Sequence, residues 1–347
     1  MLNGPDCSRL ARNAALAIAL STPLLIAGNG NADIIKKDDM ARGITMTRAQ
    51  CDAILQAVWV SAYGNDFCVR YYMSTVGGEG RRPVVFLQGD QLGKLDPKTR
   101  TWIDTSGTKD ADTDNLMRFA DSFSRMTKTT AIYLARIGVD GTSGNHMSRK
   151  TVLERELMNA ALDAIKRRYQ FEGFHLAGQS GGATILVGLL AARTDIGCAV
   201  SGAGHILTGV NPGNVAEPDL RYFDASAGIA DILRNHPQTR FFFVTDPQDT
   251  KAPAPTQNKF IERFRQAGGQ PEQFIVLAPD DNHHGVVEYA RLVVAGCVLG
   301  RSNPDIARAV STVVKRNTEL SERKKEEAKA KAAGTTQPAA VAPATRG

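Results

Sequence analysis

The stretch Phe174-His175-Leu176-Ala177-Gly178-Gln179-Ser180-Gly181-Gly182-Ala183-Thr184-Ile185 is the most informative part of this 347-residue chain. Its first four residues are typical of a buried strand, and the residues after Gly182 are typical of an apolar helix. Between them lies the pattern G-x-S-x-G, which puts Ser180 on a tight turn from strand to helix. Such a turn strains the serine backbone and leaves no room for side chains two residues away, which accounts for Gly178 and Gly182.

Short apolar runs, rich in β-branched and aromatic residues, lie on both sides of this turn. They alternate with stretches long enough to form helices, which is typical of buried parallel strands joined by right-handed crossovers. The predicted strands are 67–73, 83–87, 130–134, 174–177, 198–200, 241–244 and 274–277. The predicted helices are 149–169, 182–193, 257–267 and 286–299, with a helix-like stretch at 49–58. This pattern predicts an α/β fold with one doubly wound, mostly parallel sheet in a three-layer domain.

The strand, the G-x-S-x-G turn and the helix together resemble the nucleophile elbow of the α/β-hydrolase superfamily. The resemblance covers roughly residues 82–299 and implies the α/β-hydrolase fold, with Ser180 as a nucleophile. The sequence Gly-Gln-Ser-Gly-Gly at 178–182 is more similar to the esterase and prolyl-oligopeptidase-like branches than to large lipases. No remaining segment is long enough for a β-propeller, so a complete oligopeptidase is excluded.

The resemblance also implies an acid after a later strand and a histidine after the last strand, in that order. The first loop reads Asp246-Pro247-Gln248-Asp249-Thr250-Lys251-Ala252-Pro253. The similarity of its second half to the family's Asp-x-x-x-Pro loop favours Asp249, with Asp246 as the rival. The second loop contains His283 and His284 ahead of a glycine. A histidine followed by a small residue is common in the family, which favours His284 over its rival His283.

Two backbone N–H groups are expected to hold the oxyanion of such a reaction, and the resemblance implies those of Gly181 and Asp90. The side chain of Asp90 is expected to face away, since a carboxylate there would repel the oxyanion. Arg136 follows another predicted strand near the same edge of the sheet. It either binds a substrate carboxylate or forms an ion pair that holds its loop to a helix, and we favour the ion pair.

These residue types predict a serine hydrolase that cleaves a carboxylic ester through an acyl-enzyme, acting on a small-molecule ester or a short peptide. One alternative is a serine peptidase or amidase of the prolyl-oligopeptidase-like type. The other is a retired hydrolase fold that serves as a binding protein. No cofactor is expected, and no metal, because the chain has no CxxC or Cys/His spacing typical of a metal site.

The distribution of charge argues against a nucleic-acid partner. The formal net charge is +6, but about half of it belongs to the two terminal segments. The remainder is too small for a surface that binds phosphates. Hydrophobic residues make up 42% of the chain, which is typical of a soluble globular domain.

Residues 1–32 have the pattern of an export signal, so we expect a periplasmic or secreted protein. Arg9 and Arg12 precede an apolar stretch at 14–27, and Gly30 and Ala32 form a plausible cleavage site before Asp33. The apolar stretch is too short for a stable membrane span. An uncleaved buried or membrane-skimming helix is the alternative.

The rest of the chain is predicted to form a catalytic domain at 33–301, followed at 302–347 by a charged helix that leaves the body and a disordered Ala/Pro-rich tail. Four cysteines remain after the signal. Their even number permits two disulfides in an oxidising compartment, and the short separation favours Cys51 with Cys68. Cys198 and Cys297 form either a second disulfide or two buried thiols.

Overall fold

The computed structural model describes residues 34–78, 80–91, 94–95, 102–104, 110–209 and 221–334, and these contain the elements of an α/β protein. Its strands are β1 (Ile34–Ile35), β2 (Ala57–Ala62), β3 (Asn65–Met73), β4 (Val84–Leu87), β5 (Lys94–Leu95), β6 (Trp102–Asp104), β7 (Ala111–Asp112), β8 (Ala131–Leu134), β9 (Phe174–Gln179), β10 (Ile196–Gly202), β11 (Arg240–Thr245) and β12 (Glu272–Ile275). Its helices are α1 (Lys37–Arg42), α2 (Arg48–Asp52), α3 (Thr113–Thr127), α4 (Val152–Tyr169), α5 (Gly181–Ala192), α6 (Ile229–Asn235), α7 (Ala254–Gln266), α8 (Val287–Val298) and α9 (Asn303–Gly334). The predicted signal at 1–32 and the predicted tail beyond residue 334 lie outside the described residues.

Eight strands form one sheet in the order β2-β3-β8-β4-β9-β10-β11-β12. The six strands from β8 to β12 in this order run parallel, whereas β3 pairs antiparallel with β8, and β2 antiparallel with β3. Strand β9, which leads into Ser180, lies near the middle of the sheet, between β4 and β10. The ends of the central strands therefore meet at one edge, where a site can be assembled from several loops.

Helices cover both faces of this sheet because its strands are apolar on both sides. Within β4, for example, Val85 and Leu87 belong to one buried cluster, and Val84 and Phe86 to the other. The first cluster includes side chains of α4, α5, α6 and α7, and the second includes side chains of α3, α8 and α9. A mostly parallel sheet between two helical layers, with a serine on the turn after a central strand, is the α/β-hydrolase fold, so the predicted fold class is confirmed.

Two segments differ from the sequence predictions in secondary structure. The helix-like stretch at 49–58 is instead a one-turn helix, α2, followed by the edge strand β2. The interval before Thr129, where the sequence pattern predicts no helix, contains the amphipathic helix α3. Its Phe119 and Phe123 pack against Phe86 of β4, at ring-centroid distances of 4.9 and 6.0 Å.

Helix α9 is present as predicted, but its first half does not leave the body. Ile306 and Val310 are buried in the core cluster that includes α8, and the Asn317 amide donates to the Tyr289 hydroxyl at 2.9 Å. Because Ile306 and Val310 are four residues apart, they lie on the same face of the helix. The helix therefore extends the body beyond residue 301, and it is exposed on all sides only in its later, charged part, at 322–330.

Two disulfides join distant parts of the fold. Cys51 is bonded to Cys68, as the sequence predicts, with their Cα atoms 5.6 Å apart. Cys198 of β10 is bonded to Cys297 of α8, with their Cα atoms 6.3 Å apart, so the second disulfide is formed and these are not buried thiols. Among the helices of the described residues, none has the length and apolar character needed to cross a membrane.

Candidate active site

Ser180 lies at the junction of β9 and α5, in the strained turn that the sequence predicts. Its backbone has φ 54° and ψ −122°, a conformation that residues with a side chain rarely adopt. Hydrogen bonds hold both ends of the turn. Ser180 N–H donates to Gly202 O at 2.8 Å, and Ser180 O accepts from Thr184 N–H at 3.1 Å and from the Thr184 hydroxyl at 3.3 Å. Strain of this kind persists only where the surroundings hold it, and it is common at functional sites.

The glycines of the motif are required by close approach of neighbouring backbone. A Cβ on Gly178 would lie 2.8 Å from Ala183 N, and a Cβ on Gly182 would lie 2.1 Å from Leu87 O. Gly181 is crowded by side chains instead, since a Cβ there would lie 1.8 Å from Asp90 Oδ1 and 2.6 Å from Arg136 Nη1. Position 181 is therefore a glycine because two charged side chains from other loops occupy the space that a Cβ would need.

His284 and Asp249, the preferred pair of the sequence analysis, are joined by a hydrogen bond. His284 Nδ1 lies 2.8 Å from Asp249 Oδ2, and an ionised carboxylate can only accept, so Nδ1 carries the proton. The other carboxylate oxygen of Asp249 accepts the N–H groups of Lys251 and Ala252, each at 2.8 Å. These contacts orient the imidazole with Nε2 available for proton transfer.

The two rival residues also form a pair. His283 Nδ1 lies 3.0 Å from Asp246 Oδ2, and His283 adopts the left-handed φ of 55°. Asp246 is buried, and it also accepts the N–H groups of Ala278 at 2.7 Å and Gln248 at 2.9 Å. Asp246 therefore ties the loop after β11 to the loop after β12, and His283 adds to that tie.

Two further side chains form hydrogen bonds with the backbone of His284. The Asp280 carboxylate accepts the N–H groups of His284 at 3.1 Å and Gly285 at 2.6 Å. Partial burial would raise the pKa of Asp280, but these N–H groups outweigh it and lower the pKa. The Gln179 amide donates to His284 O at 2.9 Å, which links the residue before Ser180 directly to the histidine.

Asp90 differs from the sequence prediction, because its carboxylate does not face away from the turn. It lies beside Gly181 within a set of charges that is buried except for two partly exposed members, Arg149 and Lys150, and is called here the Arg136 network. Its members are Asp90, Arg136, Arg149, Lys150 and Glu154. Asp90 accepts from Arg136 Nη1 and Lys150 Nζ, each at 2.8 Å, with Arg149 Nε at 3.4 Å.

Arg136 is an ion-pair residue, and the alternative that it binds a substrate carboxylate is wrong. Its side chain is 1% exposed and is fully engaged with Glu154 of α4, at 2.9 and 2.8 Å, and with Asp90. Burial would lower the pKa of Arg136, but the two carboxylates outweigh burial and raise it. The guanidinium therefore fastens its loop to a helix, as the favoured interpretation expected.

The cations of the Arg136 network offset the charge of the Asp90 carboxylate beside the predicted oxyanion donors. Burial alone would raise the pKa of Asp90, but the positive charges of Arg136 and Lys150 hold that pKa well below its usual range. A carboxylate paired in this way repels a negative charge near Gly181 less than an unpaired carboxylate would.

One cavity of about 780 Å³ is lined by some of the predicted site residues and not by others. It is lined by Ser180, His284 and Asp90, whereas His283, Asp246 and Asp249 do not line it. Gly181 is the first residue of α5, where N–H groups have no partner within the helix. Among the described residues no hydrogen bond joins Ser180 Oγ to the His284 ring, and such contacts often tighten only with substrate bound.

Gln179, Lys150 and His146 also belong to this region, although the sequence patterns assign no role to them. Gln179 lies inside the G-x-S-x-G motif, and its position there was the one available signal. His146 is fully buried, donates from Nδ1 to Ile137 O at 2.8 Å and accepts Gln91 N–H at 3.3 Å. Burial, with the Arg136 charge, lowers the pKa of His146 to about 3. No group of three or more His, Cys, Asp or Glu side chains in the described ranges could hold a metal ion.

No protein-family model matches this sequence, and no curated protein matches it. An esterase of Pyrococcus furiosus is similar in structure at 13% identity, with a TM-score of 0.48, over 75% of this chain and 97% of that chain. A putative dienelactone hydrolase from Klebsiella pneumoniae is similar at 13% identity, with a TM-score of 0.44, over 74% and 94%. An acylaminoacyl peptidase of Pyrococcus horikoshii is similar at 13% identity, with a TM-score of 0.44, over 68% of this chain and 38% of that chain.

Proposed function

This chain has the α/β-hydrolase fold, and we propose that it is a serine hydrolase that cleaves carboxylic esters through an acyl-enzyme. The observation that carries the proposal is the 2.8 Å contact between His284 and Asp249, at a cavity that Ser180 and His284 both line. Ser180 is the nucleophile, His284 the general base and Asp249 the residue that orients His284. A serine hydroxyl needs such a base because it is a poor nucleophile at neutral pH.

In the first half of the reaction, Ser180 Oγ forms a bond to the ester carbonyl carbon while its proton moves to His284 Nε2. Asp249 stabilises the imidazolium without taking the proton. The N–H groups of Gly181 and Asp90 hold the oxyanion, while Arg136 and Lys150 offset the charge of the Asp90 carboxylate. The intermediate then loses the alcohol, which leaves with the proton from His284.

In the second half, a water molecule attacks the acyl-enzyme. His284 accepts a proton from that water as its oxygen bonds to the acyl carbon, and a second tetrahedral oxyanion occupies the same N–H groups. The bond to Ser180 Oγ then breaks, and His284 returns the proton to it. The products are a carboxylic acid and an alcohol, and every group of the chain ends in its initial state.

The ester assignment is tested by hydrolysis of p-nitrophenyl esters of graded acyl length, beside aminoacyl and prolyl anilides. We expect ester turnover in the wild type and its loss in Ser180→Ala, with an unchanged circular dichroism spectrum. Turnover retained in Ser180→Ala would contradict the proposal. Faster anilide hydrolysis would indicate the peptidase alternative, which has lost the support of a substrate-binding Arg136.

We also propose that the protein is exported to the periplasm or secreted. The charged and apolar pattern of residues 1–32 supports this, and so do two disulfides, which are rare in reducing compartments. Expression of the full chain, followed by fractionation and N-terminal sequencing, should place it outside the cytoplasm and starting at Asp33. An intact N-terminus in the cytoplasmic fraction would contradict export.

A further inference from the structure

The loop after β4, residues 88–91, lies against Ser180. A Cβ on Gly89 would be 3.1 Å from Ser180 Cβ and 3.7 Å from Ser180 Oγ, so the loop passes beside the reacting hydroxyl. The next residue is Asp90, whose N–H holds the oxyanion in the proposed reaction. Among the hydrogen bonds of the residues that the structure describes, none is donated by this N–H. Its direction therefore depends on the conformation of the loop.

Hydrogen bonds from other parts of the chain hold this loop on both sides of the Asp90 N–H. Arg136 Nη1 donates to Gln88 O at 3.2 Å and to the Asp90 carboxylate at 2.8 Å. On the other side, Gln91 N–H donates to His146 Nε2 at 3.3 Å. The peptide group that carries the Asp90 N–H thus lies between two peptide groups that are each held by a side chain. A donor fixed before the reaction stabilises an oxyanion more than one that must first turn toward it.

His146 can accept the Gln91 N–H only as a neutral imidazole that is protonated on Nδ1. His146 Nδ1 lies 2.8 Å from Ile137 O, and a carbonyl oxygen can only accept, so Nδ1 carries the proton and Nε2 has a free lone pair. The ring is fully buried, and burial with the charge of Arg136 lowers its pKa to about 3. At neutral pH the imidazole is therefore in the form that accepts.

We propose that His146 is a positioning residue, which holds the loop 88–91 so that the N–H of Asp90 is directed at the oxyanion. The inference rests on the proposed ester hydrolysis and adds a residue that acts through another, because His146 does not line the cavity, whereas Asp90 and Gln91 do. Without the Nε2 acceptor, the peptide group of Gln91 would turn to find another partner, since a partly buried N–H without one is unfavourable.

Two substitutions of His146 separate its two hydrogen bonds. A glutamine amide reaches the position of Nε2, so His146→Gln keeps an acceptor for Gln91 N–H and loses the donor to Ile137 O. An asparagine amide reaches the position of Nδ1, so His146→Asn keeps that donor and loses the acceptor.

We expect His146→Asn to lower kcat for a p-nitrophenyl ester by about ten- to a hundredfold, with little change in KM, because the lost interaction is made mainly in the transition state. His146→Gln should retain kcat to within about threefold, since the acceptor is kept. Rates are divided by the concentration of sites that a fluorophosphonate labels, so that a loss of folded protein does not lower them.

Inhibition by an apolar trifluoromethyl ketone reports on the oxyanion directly. Ser180 Oγ adds to the carbonyl carbon of the ketone, the hydroxyl proton moves to His284, and the carbonyl oxygen becomes an oxyanion at the same N–H groups. The inhibition constant should rise in His146→Asn by about the factor by which kcat/KM falls, and it should change little in His146→Gln. Equal constants in His146→Asn and the wild type, or equal losses in both variants, would overturn the inference.

Amide hydrogen exchange, measured by NMR, separates this inference from the proposed reaction because it needs no turnover. In the wild type the amide of Gln91 should exchange more slowly than that of Asp90, since only the first is hydrogen-bonded. In Ser180→Ala, adding His146→Asn should accelerate exchange at Gln91 by about tenfold or more, whereas adding His146→Gln should not.

Two outcomes of the exchange measurement are decisive. Exchange at Gln91 as fast as at Asp90 in the wild type would overturn the inference, even if esters are hydrolysed and even if His146→Asn does not fold. Slow exchange at Gln91 in a protein that hydrolyses no ester would contradict the reaction and retain the role of His146 in holding the loop.

Discussion

At the scale of single residues, adjacent histidines have different partners and different access to the cavity. His284 lines it and pairs with Asp249, whereas His283 pairs with Asp246 and ties two loops together. The residues that hold the His284 backbone, Asp280 and Gln179, do not depend on His283. The geometry therefore supports the proposal that His284, and not His283, is the general base.

His284→Ala should lower kcat for a p-nitrophenyl ester by at least about a thousandfold, because the base of the triad is removed. His283→Ala should lower kcat by only about tenfold or less, since Asp280 and Gln179 still hold the loop. Steady-state kinetics of both variants, with circular dichroism as the control for folding, distinguish them. A larger loss in His283→Ala than in His284→Ala would reverse the assignment.

Much of the candidate site could be predicted because only certain residue types fit its turn and its proposed reaction. The glycines at 178 and 182 are required by backbone contacts, so the turn at Ser180 is visible in the sequence. The direction of the Asp90 side chain was not predictable, because it depends on Arg136 and Lys150, which are distant in the chain. Local patterns carry no information on such contacts between loops.

At the scale of elements, apolar runs predicted the parallel strands well, because strands buried on both faces are apolar throughout. Helix α3 as a whole was missed because its first turn is polar, although Leu116, Phe119 and Phe123 have helical spacing. Strand β2 was missed because Cys51 and its neighbours are helical while the β-branched residues begin only at Val58. The packing of α9 could not be predicted either, because it depends on the partner helix α8.

The two disulfides join elements that are separated in sequence, and removing each one should lower the free energy of unfolding by a different amount. Replacing Cys198 and Cys297 by Ala should lower the free energy of unfolding by up to about 4.7 kcal/mol, and replacing Cys51 and Cys68 by about 3 kcal/mol. The reason is loop length, since the two pairs are separated by 99 and 17 residues, and a longer closed loop restricts the unfolded chain more. Urea denaturation without reductant measures both.

A matched control for the disulfide variants is the wild type in reductant, which should approach the stability of the chain lacking all four cysteines. Equal urea midpoints for wild type and the Cys198 and Cys297 double variant would show that this bond does not constrain the unfolded chain.

At the scale of the whole molecule, buried histidines make stability depend on pH. Burial lowers the pKa of His146 to about 3 and that of His175 to about 4, and it also lowers the pKa values of His205 and His236. Between a pKa of about 6.5 in the unfolded chain and these lower values, the unfolded state binds more protons than the folded state. Acidification through this range therefore favours unfolding.

His146 alone should lower the free energy of unfolding by about 2 kcal/mol between pH 7 and pH 5, because it is charged only in the unfolded chain over that range. Urea denaturation at the two pH values measures the loss. In His146→Gln the difference between the two pH values should be smaller than in the wild type, whatever the stability of the variant at pH 7. An unchanged difference would show that His146 titrates alike in both states.

The central claim is that Ser180 is a nucleophile activated by His284 and Asp249, and a fluorophosphonate probe tests it most directly. Mass spectrometry of the labelled, digested protein should find one adduct, on Ser180, that forms much more slowly in His284→Ala and is absent in Ser180→Ala. Folded wild-type protein that gains no adduct, or gains one on another residue, would contradict the account and favour a binding protein on a retired fold.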